Sequence, residues 1–271
     1  MADLFDLTGK TALVTGAGGI LGRGFCQVLA AHGARVAAAD IDAAAAAATV
    51  EHVRTTTPGA EAFEVVCDVS NPESVEGMVA SVVERSGGID VLNSNAATKS
   101  EDHDAFFAPY EKYSLAEWRR ITSVNLDGMF LVTQAVGRRM AESGRGGSIV
   151  LTASIYGSLA PDPRIYEGSL YMGRPINTPA VYSASKAAVI GLGRYLAAYW
   201  APRGIRVNSL SPGGVDSGQN ETFKQRYGQR VPLGRMAARD EMQGAMLFLA
   251  SEASTYVTGQ NLLVDGGLSC W

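Results

Sequence analysis

The sequence predicts an α/β fold, in which a doubly wound parallel sheet of about seven strands forms a single domain. Short runs of β-branched and other apolar residues alternate regularly with longer alanine-rich stretches of helical character. The short runs are continuously apolar, as expected for strands that are covered on both faces. Because a parallel neighbour can be reached only through a crossover connection, this alternation indicates repeated βαβ units.

Each strand is predicted where a short apolar run is rich in β-branched residues. These runs are, in chain order, 11–15, 35–39, 62–67, 90–94, 147–152, 205–210 and 261–264. Each helix is predicted where a longer stretch of good helix formers follows a strand. These stretches are 20–32, 43–53 (with its run of six alanines), 72–85, a long region from Ser114 to Met140, 182–200 and 239–250. We find no repeat and no interdomain linker, so one domain is expected over residues 1–271.

Composition and charge exclude several classes of protein. With 46% hydrophobic residues and a formal net charge of −4, the 271-residue chain is neither disordered nor basic enough for nucleic-acid binding. No apolar stretch approaches the ~20 residues of a membrane-spanning helix, and the N-terminal segment lacks the apolar run of a secretory signal. The three cysteines are widely spaced, which favours reduced thiols. We therefore expect a cytoplasmic protein that binds neither nucleic acid nor membrane.

No metal site is predicted. The three histidines, His32, His52 and His103, do not cluster at the spacing of metal ligands, and no cysteine accompanies them.

A glycine-rich turn stands where the first strand meets the first helix, and it reads Thr-Gly-Ala-Gly-Gly-Ile-Leu-Gly over residues 15–22. Glycine lets the backbone approach a ligand, and the free N–H groups at a helix start attract a pyrophosphate. Asp40 ends the second strand about 20 residues farther on, the spacing of a Rossmann-type dinucleotide site. Its carboxylate would bind the adenosine ribose and repel a 2′-phosphate, which favours NAD over NADP. Asp40 could also serve as the N-cap of the next helix.

Tyr182 and Lys186 lie four residues apart and therefore share one face of a predicted helix. A free tyrosine has a pKa of about 10, too high for a base near neutrality. A neighbouring cation favours the phenolate and lowers that pKa, so the pair is suited to proton transfer. Taken alone, the pair is equally typical of a protein surface.

In their order along the chain, these motifs resemble the short-chain dehydrogenase/reductase family, and the match covers essentially the whole sequence. The segments that carry the resemblance are 15–22, Cys67-Asp68-Val69, Ser94-Asn95-Ala96-Ala97, Val124-Asn125-Leu126, Ser154-Ile155-Tyr156-Gly157, Tyr182 to Lys186, Ser211 to Val215 and Val264 to Gly267.

The resemblance implies a role for each of four residues. Tyr182 would be the general acid/base, and Lys186 would lower its pKa and hold the nicotinamide ribose. Ser154 would bind the substrate oxygen, and Asn125 would support Lys186 through a water relay. The resemblance also implies an NAD site made of Gly16, Gly19, Ile20, Leu21, Asp40, Ile41, Asp68, Val69, Asn95, Ala96, Ala97, Tyr182, Lys186, Pro212, Gly213, Val215 and Ser217.

The chain departs from the family pattern in the glycine turn and after the fourth strand. Ile20 stands where the family has its middle glycine, which implies a slightly different turn. Ser94 and Ala97 replace an asparagine and a glycine of the family, and the small residue at 97 preserves access to the nicotinamide.

Ser154 and Tyr182 lie 28 positions apart, which makes the connection between them unusually long, and we predict a substrate-loop insertion near 160–178. In most members of the family that the chain resembles, this gap is about half as long. The extra segment, 161–175, contains two arginines and two tyrosines and few aliphatic residues. Such side chains suit a sugar, a sugar acid or a polyol. Ser154, Tyr156 and Tyr166 are the expected contacts, with Arg164 or Arg174 holding a carboxylate or phosphate. Alternatively, the insertion could be a subunit-contact arm or a plain lid.

These features predict an NAD-dependent oxidoreductase that interconverts a secondary alcohol and a ketone by hydride transfer. One alternative is a 3-oxoacyl-thioester reductase, which Asp40 disfavours because reductive biosynthesis commonly uses NADPH. Another is a non-catalytic NAD-sensing protein, which the presence of all four expected catalytic residues disfavours. The family resemblance also implies a homotetramer, or failing that a dimer. Trp271 is expected at a subunit contact, because a terminal tryptophan is unfavourable in water.

Overall fold

A seven-stranded parallel sheet is the centre of this computed structural model, which describes residues 3–100 and 102–271. In chain order the strands are β1 (Thr11–Thr15), β2 (Arg35–Asp40), β3 (Ala62–Val66), β4 (Val91–Ser94), β5 (Gly147–Thr152), β6 (Leu170–Tyr171), β7 (Arg174–Pro175), β8 (Ile205–Pro212) and β9 (Asn261–Val264). The sheet has the spatial order β3-β2-β1-β4-β5-β8-β9, while β6 and β7 pair antiparallel as a separate hairpin. The strand order therefore reverses between β1 and β4.

Helices cover both faces of the sheet, so the fold is doubly wound. They are α1 (Ile20–Ala31), α2 (Ala43–Thr56), α3 (Pro72–Ser86), α4 (His103–Phe106), α5 (Leu115–Thr122), α6 (Met129–Ser143), α7 (Ala180–Trp200), α8 (Glu221–Arg230) and α9 (Gln243–Ala250). Apolar residues of α1, α2 and α9 form the core on one face, and those of α3, α6 and α7 form it on the other. The predicted Rossmann-type single domain is confirmed.

Besides the short helix α4 and the β6–β7 hairpin, neither of which the sequence predicts, local structure differs from the sequence prediction in three places. The long region from Ser114 is not one helix, because a π-helical stretch, Ser123–Gly128, separates α5 from α6. The last helix begins at Gln243 rather than at 239. Helix α8 was not predicted, since its sequence is mostly polar and it buries only Phe223, Tyr227 and Gly228.

Two further properties of the described residues bear on function. In the ranges 3–100 and 102–271, no helix combines the length and the apolar character needed to cross a bilayer. Within the same ranges, no three His, Cys, Asp or Glu side chains converge in a way that could hold a metal ion.

Candidate active site

The carboxyl ends of β1, β4 and β5 lie side by side where the strand order reverses, which is where open α/β sheets bind ligands. The glycine turn follows β1, the segment 95–98 follows β4, and Ser154 follows β5. The topology therefore collects at one edge of the sheet three motifs that are far apart in sequence.

The backbone of the glycine turn is not covered by side chains of the turn itself, because glycines stand at its tightest positions. Gly16 has a φ of +65°, and a Cβ there would lie 2.8 Å from the Cα atom of Ala96. A Cβ on Gly22 would overlap the carbonyl oxygen of Gly16. Helix α1 begins after Gly19 with no side-chain cap and no acidic residue in its first turn. Its first N–H groups, including that of Ile20, are therefore not satisfied by a side chain and can bind an anion.

Asp40 joins the end of β2 to the glycine turn. Its Oδ2 atom accepts a hydrogen bond from the Gly18 N–H at 2.8 Å, and its Oδ1 atom accepts one from the Asp42 N–H at 3.1 Å. The alternative role of Asp40 as helix N-cap is wrong, because Asp42 caps α2 by accepting hydrogen bonds from the N–H groups of residues 44 and 45. Ile41, which follows Asp40, is largely exposed.

The segment that follows β4 is hydrogen-bonded to the start of the glycine turn and fixes its position. The Thr15 hydroxyl accepts hydrogen bonds from the N–H groups of Asn95, at 3.0 Å, and Ala96, at 3.2 Å. The Asn95 amide donates back to the carbonyls of Thr15 and Gly16, each at 3.2 Å. Ala97 follows on the exposed side of this segment.

Asp68 and Val69 follow the end of β3. The Asp68 carboxylate accepts hydrogen bonds from the Ser70 N–H, at 2.9 Å, and the Ser70 hydroxyl, at 2.7 Å. Val69 packs against Gly128, where a Cβ would lie only 2.8 Å from the valine side chain. This close approach fixes the segment against the start of α6.

Ser154, Tyr182 and Lys186 converge beside the end of β5. The Ser154 side chain forms a hydrogen bond with the Tyr182 phenol and accepts one from the Tyr156 N–H at 3.2 Å. Lys186 is buried, and its ammonium group donates to the Thr152 carbonyl at 2.8 Å. The ammonium nitrogen lies 5.9 Å from the centroid of the Tyr182 ring. The one-turn spacing read from the sequence thus brings a phenol, a cation and a hydroxyl together.

Burial acts on both ionisable groups of this cluster. It raises the pKa of Tyr182, which the hydrogen bond with Ser154 lowers and the nearby Tyr166 phenol raises further. Burial also lowers the pKa of Lys186 to about 8. The chain by itself therefore keeps the phenol protonated at neutral pH, and the expected lowering of the Tyr182 pKa by Lys186 is not supplied by this geometry alone.

Asn125 is fully buried in the π-helical stretch that precedes α6. Its Oδ1 atom accepts a hydrogen bond from the Thr98 N–H at 2.8 Å. Its Nδ2 atom has no hydrogen-bond partner among the described residues. Since a buried donor is costly to leave unpaired, this amide is positioned to bind a water molecule or ligand.

The segment that follows β8 holds Pro212, Gly213, Val215 and Ser217, and helix α8 supports it. The Gly213 N–H donates to the Val264 carbonyl at 2.9 Å, and the Gly214 N–H donates to the Tyr227 hydroxyl. Sequence reasoning missed Tyr227 along with α8. The signal was present, because Asn220 caps the helix and Phe223 and Tyr227 stand four residues apart.

The side chains predicted to contact substrate fall into two groups. Tyr156 and Tyr166 form a hydrogen bond with each other, and both interact electrostatically with the cluster around Tyr182. Arg164 instead pairs with Asp162 at 2.7 Å, and Arg174 pairs with Asp104 at 2.8 Å. The structure places the tyrosines beside Tyr182 and engages both arginines in contacts with carboxylates elsewhere.

Comparisons with known proteins show which family the chain is similar to. A family model described as enoyl-(acyl carrier protein) reductase matches residues 16–269. The chain is 36% identical to D-threitol dehydrogenase of Mycolicibacterium smegmatis, over 97% of this chain and 94% of that protein. It is also 36% identical to galactitol 2-dehydrogenase (L-tagatose-forming) of Cereibacter sphaeroides, over 99% and 98% of the two chains.

Solved structures show the same likeness. A short-chain type dehydrogenase/reductase from Mycobacterium marinum superimposes with a TM-score of 0.88 at 36% identity, over 100% of both chains. A gluconate 5-dehydrogenase from Burkholderia cenocepacia, solved with NADP and tartrate, superimposes with a TM-score of 0.85 at 35% identity, over 99% of this chain and 98% of the other. An NAD+-bound xylitol dehydrogenase has a TM-score of 0.83 at 33% identity, over 96% and 99% of the two chains.

Proposed function

The chain belongs to the short-chain dehydrogenase/reductase family, and from this membership we propose that it interconverts a secondary alcohol and a ketone on a sugar or polyol, with NAD as cofactor. The observation that carries the proposal is the convergence of Ser154, Tyr182 and Lys186 at the edge of the sheet that also holds the glycine turn. The threitol and galactitol dehydrogenases among its relatives support a polyhydroxy substrate.

A nicotinamide dinucleotide fits the residues present. Gly16 and Gly22 have no room for a side chain, so the turn exposes its backbone, and the uncapped start of α1 suits a pyrophosphate. When bound, the dinucleotide would supply the hydride donor or acceptor of the reaction. The proposed binding residues, from the adenosine end to the nicotinamide end, are Asp68, Val69, Asp40, Ile41, Gly16, Gly19, Ile20, Leu21, Asn95, Ala96, Ala97, Tyr182, Lys186, Pro212, Gly213, Val215 and Ser217.

We favour NAD over NADP because of Asp40. The carboxylate lies at the end of β2 within hydrogen-bonding distance of Gly18 in the turn, so a ribose held by the turn would lie next to it. Ribose hydroxyls can donate hydrogen bonds to a carboxylate, whereas a 2′-phosphate would be repelled by it. Solved relatives include both an NADP and an NAD complex, so the choice between the two rests on this residue.

The roles of the four cluster residues follow from their contacts. The Ser154 hydroxyl, already bonded to Tyr182, would hold the substrate oxygen next to the phenol. Tyr182 would take the proton of the substrate hydroxyl during oxidation and return it during reduction. Lys186 would hold the nicotinamide ribose through its ammonium group. Asn125 would connect Lys186 to a water molecule through its unpaired Nδ2 atom.

We also propose that the enzyme is a homotetramer in the cytoplasm, with a dimer as the alternative. Exposed aromatic side chains on α6 and α7, namely Phe130, Tyr195 and Tyr199, support an interface on these helices. Trp271 is exposed over 71% of its surface. Its Nε1 atom donates a hydrogen bond to the Arg230 carbonyl at 2.9 Å, which fixes the ring in an exposed position that suits a subunit contact. Light scattering of the purified protein tests this, and a monomeric mass would contradict it.

The activity is tested by following NADH formation from NAD across threitol, galactitol, sorbitol, arabinitol and gluconate, with NADP in parallel. We expect turnover with at least one polyol or sugar, and we expect Tyr182→Phe to abolish it while NADH still binds. Turnover of a 3-oxoacyl thioester in preference to every sugar would favour the thioester reductase. No turnover with any alcohol or ketone, despite NADH binding, would favour the sensor.

A further inference from the structure

The insertion between Ser154 and Tyr182 is fastened to α8 on one side. The Asn220 amide donates to the carbonyl of Leu170 at 3.2 Å. The Arg226 guanidinium donates to the carbonyl of Arg164 at 3.1 Å and pairs with Glu167 at 3.0 Å. These bonds link three positions of the insertion, residues 164, 167 and 170, to α8 and its N-cap.

The other side of the insertion is fastened to the connection that follows β4. The Asn177 amide donates to the carbonyl of Phe107 at 2.9 Å. The rings of His103 and Tyr171 pack edge to face, with their centroids 5.1 Å apart. Together with the Arg174–Asp104 ion pair, these contacts hold the insertion across the edge of the sheet, which places a defined set of side chains over the Tyr182 cluster.

Tyr166 is the residue of the insertion whose side chain lies near Tyr182. Its ring packs on that of Phe223 in α8, with a centroid distance of 5.6 Å. Its hydroxyl forms hydrogen bonds with the hydroxyls of Thr178 and Tyr156. It is close enough to Tyr182 to influence that phenol electrostatically. The insertion therefore places an uncharged hydroxyl group, that of Tyr166, beside the Tyr182 cluster.

The arginines of the insertion are engaged by carboxylates. Arg164 makes two hydrogen bonds to Asp162, at 2.7 and 2.8 Å, and Asp162 also pairs with Arg230 at 3.2 Å. Arg174 pairs with Asp104. The side chains of Arg164 and Arg174 are 70% and 47% exposed, so both lie toward solvent. Arg174 attaches the insertion to the connection after β4, Arg164 pairs within the insertion, and neither charge is directed at a ligand beside Tyr182.

Taking the proposed function as given, we propose that the site accepts an uncharged polyhydroxy substrate and that the Tyr166 hydroxyl binds a substrate hydroxyl other than the reacting one. A phenol hydroxyl has one donor and two acceptor sites, and Thr178 and Tyr156 occupy two of the three, so a substrate hydroxyl can pair with the site that remains on Tyr166. A carboxylate in the same place would lose its hydration without gaining an arginine of the insertion as partner. The site should therefore discriminate against sugar acids.

The first test compares substrates that share a carbon skeleton and differ in charge. Sorbitol and gluconate form such a pair, and each polyol that the enzyme oxidises can be tested against its own aldonate. We expect kcat/KM to be at least tenfold greater for the polyol than for the aldonate. Equal or greater kcat/KM for the aldonate overturns the inference.

The second test is Tyr166→Phe, which keeps the ring on Phe223 and removes the hydroxyl. We expect KM for the preferred polyol to rise about tenfold or more, with kcat within threefold and the Kd for NAD unchanged. Tyr171→Phe is the matched control, since it removes a phenol of the same insertion that packs on His103, and its KM should stay at the wild-type value. An unchanged KM in Tyr166→Phe, or a loss confined to kcat, contradicts the proposal.

Two further measurements keep these outcomes separate. Thermal unfolding tests whether Tyr166→Phe is folded. If it is not, Tyr156→Phe takes its place: it removes the hydroxyl that bonds Tyr166, and the KM for the preferred polyol should rise in this variant as well. Absence of turnover with every polyol and sugar overturns the proposed function. Turnover with no preference for the uncharged substrate overturns only the present inference.

Discussion

The ammonium group of Lys186 donates a hydrogen bond to the backbone carbonyl of Thr152 at 2.8 Å. Thr152 is the last residue of β5, and Lys186 lies in α7 one turn after Tyr182, so this bond joins the helix to the edge of the sheet beside Ser154. Lys186 is only 2% exposed, and the ion pairs found among the described residues do not include it. A buried cation held by a neutral carbonyl and an aromatic ring, without a carboxylate, is costly for stability, which indicates a functional reason for its presence.

Lys186→Met should therefore inactivate the enzyme while changing how its stability depends on pH. Burial lowers the pKa of Lys186 from 10.5 to about 8, so between these values the unfolded chain binds more protons than the folded one. The wild-type free energy of unfolding should consequently rise relative to that of the variant, by about 2 kcal/mol between pH 7 and pH 10. Urea unfolding of both proteins at the two pH values measures this difference. A difference that does not vary with pH would contradict the prediction.

Alcohol oxidation should accelerate as the pH rises. Oxidation needs the Tyr182 phenolate, and burial raises the pKa of this phenol above its ordinary value of 10.0. Below that pKa the phenolate fraction increases about tenfold per pH unit, so kcat/KM for oxidation should rise between pH 6 and pH 9 while reduction, which needs the phenol, stays nearly constant. Initial rates in both directions test this. A plateau below pH 8 would show instead that Lys186 and the bound dinucleotide lower the pKa of Tyr182.

Asp40→Asn should shift the cofactor preference toward NADP. The amide oxygen can still accept the Gly18 hydrogen bond, but the negative charge that opposes a 2′-phosphate is removed. We expect the ratio of kcat/KM for NADP to that for NAD to rise about tenfold, which corresponds to about 1.4 kcal/mol. Asp42→Asn removes the adjacent carboxylate, which caps α2, and should leave the ratio unchanged. An equal rise of the NADP-to-NAD ratio in both variants would contradict the prediction, since it would indicate a general effect of charge and not a specific effect of Asp40.

Gly22→Ala should disrupt the glycine turn. The added Cβ would overlap the carbonyl oxygen of Gly16, so the helix must move away from the turn at a cost of about 3 kcal/mol. NAD binding should weaken in parallel, because the start of α1 moves with it. Gly77→Ala is the control, since Gly77 lies inside α3 with open space around it, and it should stabilise the protein by about 0.5–1 kcal/mol. Urea unfolding and NAD titration distinguish the two variants.

The prediction from sequence succeeded where the pattern is local and strong. The apolar runs predicted the seven strands of the sheet within one or two residues at each end, because a strand buried on both faces must be apolar throughout. The four-residue spacing of Tyr182 and Lys186 placed both on one side of α7, since helical periodicity fixes that relation. The glycine turn was located because no residue with a Cβ fits at Gly22.

Prediction failed where an element depends on distant partners. Helix α8 is mostly polar and was missed, and its place is set by Phe223 and Tyr227, which pack against the insertion and the segment after β8. The N-cap role belongs to Asp42 and not to Asp40, because Asp40 is drawn to Gly18 across the sheet edge. The side-chain partners of Arg164 and Arg174 could not be read from the sequence either.

The sequence by itself determined the fold, the family and the residues that gather at the edge of the sheet, because these depend on periodicity and on short motifs within single elements. Only the tertiary structure decided how the insertion is used, with Tyr166 beside Tyr182 and both arginines paired with carboxylates. The physical reason is that a charged side chain pairs with whichever opposite charge the packed fold brings within reach. That proximity is set by contacts between segments that are far apart in the chain.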